Sequence, residues 1–96
     1  MTEYLVLMHA GADGDDAAWG AYLAGLRASG RFDGGSAIGS GVCVSKTGAA
    51  PPITAHLVGY LRIRAHDLDD AVRLLAGNPV YEAGGVVELR ALPRDG

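Results

Sequence analysis

A β-strand followed directly by an amphipathic helix is predicted for residues 57–75, LVGYLRIRAHDLDDAVRLL. Along the first half of this stretch, every second position suits a covered strand face. The residues predicted for the covered face are Leu57, Gly59, Leu61 and Ile63. The residues of the opposite face are His56, Val58, Tyr60, Arg62 and Arg64. The strand therefore presents mainly polar side chains on the side away from its helix.

The helix in the same stretch has a signal at each end. Asp67 is placed to accept hydrogen bonds from the first free backbone N–H groups, as helix-capping residues do. Gly77 and Pro79 follow in the order typical of a helix C-terminus. The apolar stripe that packs on the sheet is predicted to be Leu68, Ala71, Val72 and Leu75.

The first half of the chain repeats this order of elements. The pattern predicts an apolar strand at Tyr4–His9, a helix opened by Asp13, and a strand near Ile38–Val44. A last strand is predicted at Val86–Leu92. Two such units in tandem predict one α+β domain over residues 1–96, ferredoxin-like β-α-β-β-α-β with an antiparallel sheet. The first and third strands should be central, and both helices should cover one face and leave the other bare.

The first helix is expected to place one apolar stripe against the sheet. Its members, at helical spacing, are Trp19, Tyr22, Leu23 and Leu26. Asp15 and Asp16 should lie in the first turn behind the Asp13 cap, where the helix dipole favours anions. Gly34 and Gly35 follow the helix, and glycines within a strand indicate a bulge or a close backbone approach.

Composition and charge restrict the classes of function. The 96 residues are 49% hydrophobic and 20% charged, as in ordinary globular domains, and the formal net charge is −3. No run of Lys or Arg is present to neutralise phosphates, so a nucleic-acid partner is not expected. No apolar stretch approaches the ~20 residues that cross a bilayer, so no membrane partner is expected. The single cysteine, Cys43, cannot form an internal disulfide, which favours a cytoplasmic location.

Several segments, taken together in their order and spacing, resemble the YCII-related proteins. The segments are YLVLMH at 4–9, WGAYLAGLRASG at 19–30, the glycine pair at 34–35, DLDDA at 67–71 and NPVYEAGGVVELR at 78–90. The resemblance covers roughly residues 4–93. It implies a ferredoxin-like fold that pairs into a dimeric α/β barrel, in which the bare sheet faces of two copies enclose a shared interior.

The resemblance also implies a kind of activity, with two departures in this chain. Some family members are similar to enzymes that act on small aromatic or lactone substrates. One branch carries an Asp-Gly-Pro-Phe motif before the third strand, where this chain has PPITAH at 51–56. An enzyme-like branch carries a histidine on the first helix with an aspartate partner. The matching positions here are Trp19 and Asp33, so the implied histidine–aspartate pair is incomplete.

Candidate site residues lie at a strand end and on the bare face. His9 ends the first strand, where its imidazole either acts as a general base or only bonds a nearby backbone group. His56, Tyr60 and Arg62 share a face that could bind and polarise a carboxylate or an enolate. Alternatively, this face is a dimer interface held by cross-strand pairs such as Arg62 with Glu88.

The candidates for catalysis are therefore His9, His56 and Asp33, and those for ligand binding are Tyr60 and Arg62. No spacing of ligands predicts zinc or calcium, and no glycine motif predicts a phosphate site, so neither a metal nor a cofactor is expected. Two hypotheses for function follow. The first is a homodimeric barrel that binds a small aromatic or carboxylate molecule, with lyase- or isomerase-type acid–base chemistry if it is an enzyme. The alternative is a non-catalytic accessory or interaction domain whose barrel interior is only the dimer interface.

Overall fold

The computed structural model of the chain describes residues 1–12 and 14–93. The elements in chain order are β1 (Thr2–His9), α1 (Asp16–Ser29), β2 (Phe32–Ala37), β3 (Leu57–Ala65), α2 (Leu68–Arg73), α3 (Pro79–Glu82) and β4 (Val87–Leu92). Within the described ranges, none of the helices has the length and apolar character that spanning a membrane requires.

The strands form an antiparallel sheet in the order β2-β3-β1-β4. β1 is central, and its Leu5 lies opposite Arg62 of β3 on one side and Arg90 of β4 on the other. The prediction of an α+β, ferredoxin-like sheet with central first and third strands is confirmed. The predicted third and fourth strands are also confirmed, with bounds that differ by about one residue.

The apolar core lies between the sheet and the helices. Val6 of β1 and Ile63 of β3 are its largest fully buried aliphatic side chains. Tyr22 and Leu26 of α1 pack onto them from the helical layer. Burial of each such aliphatic side chain contributes about 1.5–3 kcal/mol to folding. The predicted covered face of β3 is confirmed, since Leu61 and Ile63 are both buried.

The second strand lies earlier in the chain than predicted. The prediction of a strand near Ile38–Val44 is wrong, and β2 instead spans Phe32–Ala37. Gly34 has a φ of 105°, which glycine adopts without strain, and the register of β2 against β3 shifts at this point. The glycine pair therefore forms a bulge inside the strand, as glycines in a strand pattern indicate.

The connection from β2 to β3, residues 38–56, contains no helix or strand. Val42 and Val44 give this segment its strand-like character in the sequence, yet both are highly exposed. Cys43, in the same segment, is also exposed. Apolar β-branched residues form a strand only where a neighbouring strand is available for pairing, and here β3 is already paired with β2.

An aspartate caps α1, but at a different position from the one predicted. The Asp15 carboxylate accepts a hydrogen bond of 2.7 Å from the Ala18 N–H, so Asp15 is the N-cap. Asp16 lies in the first turn, as predicted. The predicted cap, Asp13, lies outside the described residues. The position of Asp15, two residues later, shortens the helix at its N-terminus.

α2 is shorter than its sequence pattern suggests. Asp67 caps it as predicted, accepting a hydrogen bond of 2.8 Å from the Asp70 N–H. The helix spans only six residues and ends at Arg73. Of the predicted stripe, the buried members are Ala71 and Leu75, and the exposed members are Leu68 and Val72. A helix of less than two turns places only a narrow strip of side chains on the sheet, so half of the predicted stripe faces outward.

Candidate functional site

A cavity of about 760 Å³ lies between α1 and the part of the sheet formed by β2 and β3. Trp19 and Leu23 of α1 line its helical side, and Phe32 of β2 lies among its sheet-side residues. The other apolar lining side chains are Met8, Leu61 and Val80. The cavity wall therefore includes apolar side chains and aromatic rings on two different elements.

The wall on the α1 side follows from the spacing of its residues. Trp19, Leu23 and Arg27 are four residues apart, so they lie along one face of the helix. Tyr22 lies on the neighbouring buried face, and its ring contacts the Trp19 ring edge-on with centroids 6.1 Å apart. Its hydroxyl donates a hydrogen bond of 2.8 Å to the Leu74 carbonyl, and burial raises the pKa of this phenol. These contacts fix α1 against the rest of the fold.

The cavity also has a polar lining. The Arg27 guanidinium lies over the Phe32 ring, 5.5 Å from its centroid, which is a cation–π contact. Asp16 lines the cavity from the first turn of the same helix. Ser36 contributes a hydroxyl that donates a hydrogen bond of 2.9 Å to the Ala37 carbonyl. Small-molecule sites commonly combine apolar and aromatic walls with polar groups that orient the ligand.

The opposite, bare face of the sheet carries a second polar cluster at one end. His9 Nε2 lies 3.1 Å from a Glu88 carboxylate oxygen, so this ring nitrogen carries the donated proton. The His56 ring packs edge-on against the His9 ring, with centroids 4.7 Å apart. Hydrogen bonds from His9 and, secondarily, from Arg90 hold the pKa of Glu88 below its usual value. The predicted candidates His9 and His56 are thus brought together, with a carboxylate that orients the first.

Arg62 lies on the same face but in a different ion pair. Its guanidinium bonds the carboxylate of Glu3, a buried residue on β1, and not that of Glu88. The cross-strand pair suggested by the sequence is therefore replaced by one between Arg62 and Glu3. Asp33, the position matched to the family aspartate, forms an ion pair of 2.9 Å with Arg64.

The residues predicted from sequence do not all lie in one site. Tyr60 is half-buried and is the member of the predicted set that lines the cavity. His9 and His56 contact each other at the end of the bare face, whereas Arg62 lies further along the sheet opposite Leu5. Within residues 1–12 and 14–93, no group of three His, Cys, Asp or Glu side chains is arranged to hold a metal ion.

Several residues of these sites are absent from the set predicted from sequence, among them Arg27, Phe32 and Glu88. Arg27 and Phe32 belong to different elements, and their contact depends on the bulged path of β2. Arg27 does follow Trp19 and Leu23 at four-residue spacing, which is a signal that places it on their face. Glu88 was assigned a partner in Arg62, and only the sheet register brings it to His9 instead.

Comparison with solved structures identifies a protein of similar fold. It is 5-chloro-2-hydroxyhydroquinone dehydrochlorinase (TftG) from Burkholderia phenoliruptrix, solved as a complex with 2,5-dihydroxybenzoquinone. The TM-score is 0.55 at 15% sequence identity, and the match covers 97% of this chain and 95% of that chain. The likeness is one of fold. No family model matches the chain, and no curated protein matches it in sequence.

Proposed function

We propose that this chain is a YCII-related protein that binds a small aromatic molecule in the cavity between α1 and the sheet. The observation that carries the proposal is the cavity wall, in which Trp19 and Phe32 supply aromatic rings from two elements. The volume of about 760 Å³ lies within the range of about 300–1,000 Å³ that is typical of small-molecule sites. The dehydrochlorinase of similar fold was solved with a small ring compound bound, which agrees with this class of ligand.

The proposal includes a homodimer, because the bare sheet face has the composition of an interface. Its central strand places the half-buried apolar residues Leu5 and Leu7 between neighbouring polar strands. Its charges are already balanced by the ion pairs Glu3–Arg62, Asp33–Arg64 and Glu88–Arg90. A face whose charges are neutralised within one copy can meet an identical face without like-charge repulsion. Two such faces would form the dimeric α/β barrel.

The proposal also covers the domain organisation and the cellular location of the protein. We assign residues 1–96 to a single domain of this family. The exposed, unpaired thiol of Cys43 agrees with the reducing environment of a cytoplasm.

Acid–base chemistry of the lyase or isomerase type is the second candidate function. It is favoured by the His9–Glu88 pair, in which a carboxylate orients an imidazole beside a second imidazole, His56. This cluster lies on the bare face and does not line the cavity. Binding in the cavity is therefore the primary proposal. Trp19 occupies the position that matches the family histidine, and this supports binding without inherited catalysis.

Titration with benzyl alcohol and hydroquinone tests the proposal, with the NMR signal of the Trp19 indole N–H as reporter. This is the single tryptophan of the chain and lies in the cavity wall. We expect a saturable shift of this signal. Leu23→Ala should weaken binding roughly fivefold or more, because apolar contact with the ligand is lost. Leu68→Ala, the same change at an exposed position on α2, should leave the affinity unchanged.

Two results would contradict the proposal that the cavity binds an aromatic molecule. If neither compound shifts the Trp19 signal, or if both leucine variants bind as the unchanged protein does, the cavity is not a binding site. The function would then lie with the bare sheet face, either in its acid–base cluster or as the surface of an accessory or interaction domain.

A further inference from the structure

Charge pairing is nearly complete among the arginines of the described residues, with one exception. The paired guanidinium groups are Arg31 with Asp70, Arg62 with Glu3, Arg64 with Asp33, Arg73 with Asp70, and Arg90 with Glu88. Arg27 forms no ion pair within residues 1–12 and 14–93. It lines the cavity, so an uncompensated positive charge lies at the proposed binding site.

The surroundings of Arg27 hold its guanidinium beside the space that a ligand would fill. Its side chain lies on the same helical face as Trp19 and Leu23, both of which line the cavity. The Phe32 ring lies beneath the guanidinium at 5.5 Å, and this cation–π contact favours the observed position. The N–H donors of the guanidinium lie in its own plane, where they can reach a neighbouring acceptor.

We infer that the cavity selects planar aromatic molecules bearing an anionic substituent, a carboxylate or phenolate, and that Arg27 determines this specificity by binding that substituent. The inference rests on the proposed function, since it assigns the ligand class of the same cavity. Arginine is suited to this role because its planar fork of donors matches the two oxygens of a carboxylate. Phe32 and Trp19 supply the apolar surfaces for the ring that carries the anion.

The acidic groups near the cavity are placed so that they do not oppose an anion at Arg27. Asp16 lies at the other end of α1, about 16 Å away along the helix axis at 1.5 Å per residue. Asp33 follows Phe32 in the chain, but its carboxylate is neutralised by the Arg64 guanidinium at 2.9 Å. The cavity therefore has a positive end and a negative end, and an anionic ligand should place its charged group at the Arg27 end.

A matched pair of probes, benzoate and benzamide, tests this inference. The two molecules have nearly the same shape and differ in charge, so their affinity ratio isolates the contribution of the anion. The Trp19 indole N–H signal reports binding of both. We expect the unchanged protein to bind benzoate about tenfold more tightly than benzamide, as charge-assisted hydrogen bonds allow. The preference should fall in high salt, because Arg27 is exposed and its charge is screened.

Variants of Arg27 then identify the residue responsible. Arg27→Gln should lose the preference for benzoate over benzamide, whereas Arg27→Lys should retain part of it because the charge remains. Arg73→Gln removes an exposed arginine on α2 that does not line the cavity, and it should behave as the unchanged protein. Circular dichroism should be identical for all four proteins, since both arginines are exposed.

The outcomes separate this inference from the proposed function. If benzamide binds and benzoate has no advantage, or if Arg27→Gln keeps the advantage, the specificity inference is overturned while cavity binding stands. If neither probe binds, both are overturned.

Discussion

Asp70 is the residue that joins the end of β3 to the start of α2. Its carboxylate accepts a hydrogen bond of 2.9 Å from the His66 backbone N–H and forms an ion pair of 2.8 Å with Arg31. Arg31 also donates to the Arg64 carbonyl at 3.3 Å, which extends the link to β3. The His66 hydrogen bond and, next, the Arg31 contact lower the pKa of Asp70 to about 2. The ionised form is therefore the one that the fold stabilises.

Asp70→Asn should lower the melting temperature at neutral pH. The pKa of Asp70 lies near 2 in the folded protein and at 3.8 in the reference state. Its stabilising effect is thus complete above pH 3.8 and disappears as the pH falls through about 2. Thermal unfolding of both proteins across this range provides the test. A gap between the two melting temperatures that stayed constant down to pH 2 would contradict the assigned role.

At the scale of elements, the bulged path of β2 sets the shape of the cavity. Gly35 pairs with Leu61, and its backbone lies closely against β3. A Cβ atom added at Gly35 would lie 2.4 Å from the Tyr60 carbonyl oxygen and 3.0 Å from the Leu61 Cα. Both are backbone atoms, which cannot move aside as a flexible side chain would. β2 can therefore follow this path only with glycine at position 35.

Gly35→Ala should destabilise the protein by about 1–3 kcal/mol, the usual effect of forcing extra atoms into a packed region. Gly39→Ala is the matched control, because a Cβ at Gly39 would have no neighbour within 4 Å. The control should change the free energy of unfolding by less than about 1 kcal/mol. Urea denaturation measures both values. Equal effects of the two substitutions would show that the close approach of β2 to β3 does not constrain the fold.

The elements differ in how far their sequences predict them. The alternation of β3 and the Asp67 cap of α2 are local signals, and both are confirmed. β2 was misplaced because Gly34 and Gly35 have low strand propensity, while the exposed Val42 and Val44 look strand-like. The cavity depends on contacts between elements, such as Arg27 with Phe32, and no local pattern encodes those. The bare face was predicted correctly, but its ion-pair partners follow from register, which the sequence does not specify.

At the scale of the whole molecule, the proposed dimer predicts that a charged substitution at the centre of the bare face prevents dimerisation. Leu5 lies between Arg62 and Arg90 in the sheet register. Leu5→Glu should leave each copy folded, because the new carboxylate has arginines on both sides. It should produce a monomer, because two copies would have to bury added charge at their interface. Val72→Glu, at an exposed position on α2, should remain dimeric.

Analytical ultracentrifugation of the unchanged protein and both variants decides this point. A monomeric unchanged protein, or a dimer that survives Leu5→Glu, would contradict pairing through the bare face.

The most direct test of the central claim is a crystal structure of the protein with hydroquinone bound. The proposal predicts density for the ring between Trp19 and Phe32, within the cavity under α1. Density beside His9 and His56 on the sheet face, with the cavity empty, would contradict it and would move the site to the barrel interior.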